Sequence, residues 1–109
     1  MALQHAVSGE VITLARSDDD IAHFTSVALA KTDHLELIRL VLPQGRSMPE
    51  HRVDGEITLQ CLEGELAVDA HGISATLLPG QLLFLGGGVP HAVRAIADSV
   101  ALLTILLHP

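Results

Sequence analysis

The chain has 109 residues, 49% of them apolar and only 17% Asp, Glu, Lys or Arg, with 6 basic against 13 acidic side chains and a net charge of −7. A chain this short has room for one hydrophobic core, so residues 1–109 are read as a single domain, and the apolar excess over what a monomer hides predicts a homodimer. The acidic field, with five Arg and one Lys scattered along the chain, argues against nucleic acid or a membrane surface as partner.

Taken in chain order, short apolar runs cut by Gly and Pro predict strands over residues 10–14, 25–30, 34–42, 47–51, 56–62, 65–70, 73–78, 81–85, 90–96 and 100–107. The start of the chain has no basic stretch followed by a long apolar run, so no signal peptide is expected. Ser17 could cap a single turn ahead of Ile21 and Phe24, with Asp18, Asp19 and Asp20 in a solvated acidic connection. Turns at 62–65, 69–72 and 97–99 are expected to pair neighbouring strands antiparallel, Gly64 and Gly72 supplying positive φ. The most apolar run, 100–107, is far shorter than the ~20 residues of a membrane-spanning helix. Both of its faces are apolar, so a second sheet or another subunit must cover the second side, and a subunit is favoured. One cysteine, Cys61, forms no internal disulfide, in keeping with a cytoplasmic location. About ten short antiparallel strands without crossover helices specify an all-β sandwich or barrel.

Two stretches carry a resemblance. Residues 45–64 place Gly45, His51 and Gly64 at the outer landmarks of G(X)5HXH(X)3EX6G, and residues 80–95 place Gly80, Gly88 and His91 on G(X)5PXG(X)2H(X)3N. The chain thus resembles the cupin superfamily, with the two motifs fifteen residues apart, as in compact members. The resemblance implies a double-stranded β-helix, a jelly-roll barrel of the RmlC-like kind. It also implies a metal held by two His and one Glu of the first motif and one His of the second. Here His51 and His91 stand at two of those positions, but Val53 occupies the second His position and Ile57 the Glu position. In the second motif Gly86 replaces Pro and Ala95 replaces Asn.

Strand alternation then leaves two exclusive readings. If a bulge at Asp54–Gly55 shifts the register by one, Glu56 and Gln60 face the barrel, and His51, Glu56, Gln60 and His91 form a set of N and O ligands for Fe, Mn, Ni or Zn. If the register is unshifted, Val53, Ile57, Leu59 and Cys61 make an apolar pocket in which His51 and His91 are the orienting polar groups. The second is the simpler alignment and is preferred. Cys61 has no basic neighbour in sequence to stabilise a thiolate and reads as core. Arg39, in an apolar run, faces solvent in preference to an anionic ligand inside the cup, while Arg46 and Arg52 flank the first motif at its rim. Phe24 and Phe84 are the only aromatic residues, too few to recognise sugars or bases by stacking.

Three functions follow as expectations. The first is a small cupin binding a small organic ligand in the barrel, without need of a metal. The second is a metal-dependent enzyme of dioxygenase, isomerase or decarboxylase type using His51, Glu56 and His91. The third is a dimeric interaction module without a catalytic site.

Overall fold

The computed structural model describes residues 5–15, 21 and 25–107. Among them run nine strands: β1 Val27–Lys31, β2 Leu35–Leu42, β3 Ser47–His51, β4 Ile57–Glu63, β5 Leu66–Ala70, β6 Ile73–Leu77, β7 Leu82–Leu85, β8 His91–Ala95 and β9 Ser99–Leu106. They form a five-stranded sheet, β1-β2-β9-β4-β7, facing a four-stranded sheet, β3-β8-β5-β6, and every pairing is antiparallel. The expected strand at 10–14 is absent, because that segment lies along the β1–β2 edge as irregular chain, tied by the Ala6 N–H to the Leu29 carbonyl (2.8 Å). The capped acidic turn at 17–20 and Phe24 lie outside the described residues. No helix among the described residues is long and apolar enough to cross a membrane.

The core lies between the sheets. Ile57, Leu59 and Cys61 of β4 and Ala101, Leu103 and Ile105 of β9 meet Leu66 and Val68 of β5 and Val93 and Ala95 of β8, all buried. Burial alternates strictly along the start of β4 and along β8, as a strand with one covered face requires. Each fully buried Leu or Val contributes about 1.5–3 kcal/mol by leaving water.

Only one of the three expected hairpins is a hairpin. His71 (φ 56°) and Gly72 (φ 73°) make the two-residue turn between β5 and β6, both in the left-handed region that this turn needs. The turns at 62–65 and 97–99 instead carry the chain from one sheet to the other, β4 to β5 and β8 to β9. Periodicity and turn residues look alike in the two cases; packing apolar faces against each other decides which strands pair. The two crossings are clamped together by buried Ser99, whose Oγ accepts the Glu65 N–H (3.1 Å) and lies within donating distance of the Ala97 (2.7 Å) and Glu65 (3.1 Å) carbonyls. The sandwich does not close into a continuous barrel: β1, β7, β3 and β6 remain sheet edges.

Candidate functional site

The sequence brings two imidazoles together through one ladder. His51 ends β3, His91 opens β8, and the two are paired in register, so both project to the same side as buried Val93 and Ala95 further along β8. Their ring centroids are 4.4 Å apart with planes tilted by 56°. His91 is only 4% exposed, whereas His51 is half-buried at the lip.

Each ring is held by a backbone carbonyl two residues earlier: His51 Nδ1 by Pro49 O and His91 Nδ1 by Val89 O, both at 3.0 Å. A carbonyl only accepts, so each Nδ1 carries the proton, and in the neutral ring Nε2 is left as an acceptor. The site therefore presents two imidazole acceptors side by side.

The glycine triplet has a specific task here. The Gly88 N–H donates to the Val53 carbonyl (2.8 Å), and Gly87 packs so closely on the Asp54 carbonyl that a Cβ at that position would overlap it. The loop before His91 is thus strapped to the loop after His51. The second motif alone, as read from the sequence, gave no sign of this close approach.

The remaining site candidates divide by strand face. Ile57, Leu59 and Cys61 point into the core, at 5%, 3% and 0% exposure. Val53 is partly buried against that core. Glu56 is exposed just before β4, and Gln60 is half-buried on the outer face, in register with Leu82 and Leu102. No bulge falls at Asp54–Gly55; the irregularities flanking the site lie between Met48 and His51 in β3 and between Cys61 and Glu63 in β4. Burying Ile57 and Leu59 favours this register over one that would bury Glu56 unpaired. Among the described residues no group of three or more His, Cys, Asp or Glu side chains is placed to hold a metal ion. Two neutral imidazoles alone neither fill a first-row ion's shell nor offset its charge.

Space at the site is distributed unevenly. The interior cavity lined by His91, Met48, Ile57 and Leu59 measures about 10 Å³, room for roughly one water. A separate open depression of about 700 Å³, which neither His51 nor His91 lines, is walled by Ala70, Ile73 and the 87–90 loop just ahead of His91, with Glu50, Asp69 and His71 contributing polar groups. The sequence marked this wall only as the 69–72 turn, since nothing local says that a hairpin tip will stand beside the glycine loop. Arg39 lies elsewhere, on the outer side of β2 beside the 6–13 segment, where burial pulls its pKa down.

Cys61 is a packing residue. Burial pushes its thiol pKa up, opposed by the contact of its Sγ with the Glu63 carbonyl (3.5 Å) and assisted by the charge of Glu65. A raised pKa and complete burial keep the thiolate scarce and inaccessible. Ellman's reagent is expected to leave Cys61 unmodified in the folded protein and to titrate one thiol per chain after denaturation; rapid labelling under native conditions would contradict this.

Solved structures share this arrangement over nearly the whole chain. A cupin superfamily protein from Desulfitobacterium hafniense superposes with a TM-score of 0.78 at 20% identity, covering 99% of this chain and 100% of that one. The fold is that of an RmlC-like cupin. A cupin with a double-stranded β-helix from Methanocaldococcus jannaschii gives a TM-score of 0.73 at 20% identity, with 93% and 95% covered. A conserved protein of unknown function from Streptococcus pyogenes gives 0.78 at 18% identity, with 100% and 96% covered. No protein-family model matches the chain, and no curated protein matches it. At these identities the likeness is one of cupin architecture.

Proposed function

We propose that this cupin is a ligand-binding domain that seats a small organic molecule at its mouth and orients it on His51 and His91 without a resident metal. The observation that carries this reading is the pair of imidazoles 4.4 Å apart, each with Nδ1 committed to a carbonyl, so that two Nε2 acceptors stand side by side. The complementary ligand has a donor head, a hydroxyl, amide or ammonium, and an apolar body. The head reaches the imidazoles, and the body rests on Ala70, Ile73 and Val89 in the depression, since the interior itself is filled. Glu50 and Asp69 at the same mouth accept but do not donate when ionised, which adds to the preference for donor-bearing ligands.

A second reading has one observation in its favour. A histidine whose Nδ1–H is held by a carbonyl is oriented as metal-bound histidines are, with Nε2 free to coordinate. On that reading Fe, Mn, Ni or Zn would sit on His51 and His91, with a chelating ligand supplying the rest of its shell, and Glu56 outside it.

Titration of the ¹⁵N-labelled chain with n-butylamine, n-butanol and butyrate, each with and without EDTA, separates these readings. The amide signals of Gly72, Gly87 and Gly88 are expected to shift with the amine and the alcohol, indifferent to chelator, and to stop shifting in His91→Gln. Shifts that EDTA abolishes would favour the metal reading. No shift at these amides with any probe at millimolar concentration would overturn the proposal.

A further inference from the structure

Among the described residues four strands end a sheet, and three of them carry features that discourage pairing with a further chain. β1 breaks register between Ala28 and Ala30, and the start of the chain is tied to it by the Ala6 N–H on the Leu29 carbonyl. β3 carries Pro49 and Glu50 and loses register between Met48 and His51. β7 spans only four residues. None of these devices protects β6, since Ile73–Leu77 (ISATL) holds no charge, proline or glycine, and its register with β5 runs unbroken from Ala70↔Ile73 to Leu66↔Leu77. Its outer edge is a template for a further strand.

We infer that the β6 edge takes up an extended peptide segment of another protein as an added antiparallel strand, with a Lys or Arg of that segment set opposite Ser74 and paired with Asp69. Register names the position. Asp69 and Ser74 are partners on the face of this sheet away from the core, both are exposed, and both line the open depression. An added residue opposite Ser74 points to that same face and stands roughly 10 Å from Asp69, two strand spacings away. A long basic side chain spans that gap over the small serine. In the row of Thr76 the sheet leads through Ala67 to Arg94, so a neutral residue belongs opposite Thr76. On the other face the added residues adjoin Ile73, exposed at 68%, with Ala75 and Leu77, and apolar side chains suit them. Charge selects this occupant, because a chain of net charge −7 attracts a basic segment and repels a second copy of itself. Two β6 edges meeting would also bury far less than the ~1,000 Å² of a specific interface, since five residues at ~3.4 Å rise make a contact only about 17 Å long. A peptide added in this way draws affinity from main-chain hydrogen bonds and selectivity from alternate side chains. His51 and His91 take no part.

Titration of the ¹⁵N-labelled full chain with acetyl-Val-Thr-Val-Lys-Val-amide, which in antiparallel register sets its Lys opposite Ser74 and its Thr opposite Thr76, tests the inference. The amides of Ser74, Ala75 and Thr76 are expected to shift at millimolar peptide. Two N-methylated forms of the peptide, one blocked at its first, third and fifth residues and one at its second and fourth, report the pairing. One is expected to bind as the parent peptide does and the other not at all, because alternate N–H groups of a strand point to opposite sides. Replacing the Lys by norleucine is expected to weaken binding about threefold, the scale of an exposed ion pair, and Asp69→Asn, a change at an exposed side chain, to abolish that difference. His91→Gln is expected to leave peptide binding unchanged, which keeps this result separate from the fate of the small-molecule site. The inference is overturned by absence of shifts at 74–76, by equal binding of both N-methylated forms, by a lysine preference that survives in Asp69→Asn, or by loss of peptide binding in His91→Gln.

Discussion

Replacing Val53 by His and Ile57 by Glu together is expected to convert the chain into a tight binder of a divalent first-row metal, with affinity for Ni(II) or Mn(II) about 100-fold or more above that of the parent. These are the two positions at which the first motif departs from the cupin pattern; Val53 follows His51 by two residues, and Ile57 lines the interior cavity together with His91. The ring centroids of His51 and His91 stand 4.4 Å apart with Nδ1 of each held by a carbonyl, which is the orientation that such hydrogen bonds impose on metal-bound histidine. A third imidazole and a carboxylate raise the count from two neutral ligands to a four-ligand set with one negative charge. The expected cost lies in the metal-free state. Ile57 is 5% exposed, and a carboxylate in its place is buried without a partner, a penalty of several kcal/mol. Unfolding of the double variant should therefore begin at lower temperature than in the parent, and metal should reverse the loss, since saturation at 100 times Kd returns about 2.7 kcal/mol. Calorimetric titration and thermal unfolding with and without metal measure both effects. Should the apo double variant not fold, Val53→His alone tests the same geometry with three imidazoles. A folded variant whose melting temperature is indifferent to metal would show that His51 and His91 do not converge on a common site.

Gly64→Ala is expected to be the most damaging of the small substitutions, lowering stability by about 3 kcal/mol or more and the melting temperature by roughly 12–24 °C. Two independent penalties meet at this residue. Its φ of +89° is strained for any residue with a Cβ, and the added methyl would overlap the Asp98 carbonyl and crowd Ser99. Those contacts belong to the neighbouring crossing between sheets, so the methyl also pries apart the clamp that Ser99 makes with Glu65. Gly80→Ala supplies the comparison. Gly80 has a similar φ of +88°, but nothing lies within 4 Å of its added Cβ, so only the backbone strain of about 1–2 kcal/mol applies. Chemical denaturation of the two variants beside the parent separates strain from collision; equal losses would show that the close approach at Gly64 is unimportant.

Six of the nine strands fall within the ranges that Gly and Pro punctuation marks out, while β1 and β4 end one residue late and β9 begins one residue early. The spacing of Gly45, His51 and Gly64 with Gly80, Gly88 and His91 was enough to specify the architecture. The register of β4 was legible only as a choice of two, because Glu56 and Ile57 are adjacent and a single bulge exchanges their faces. The turns at 62–65 and 97–99 were misread as hairpins, since a glycine with positive φ serves a crossing between sheets as well as a tight reversal. Nor could strand patterning reveal that the interior is almost full, because a buried apolar face reads identically whether it lines a pocket or packs solid.

By itself, then, the sequence determined the local alternation, the turn positions and the two-motif frame that accompanies the cupin fold. These depend on neighbours a few residues apart and on side-chain period, which a linear string records directly. The tertiary structure decided which strands pair, that Ile57 and not Glu56 enters the core, and that His51 and His91 meet. Those outcomes depend on the apolar area that each arrangement removes from water once distant segments are brought together, a quantity with no value until the chain has folded.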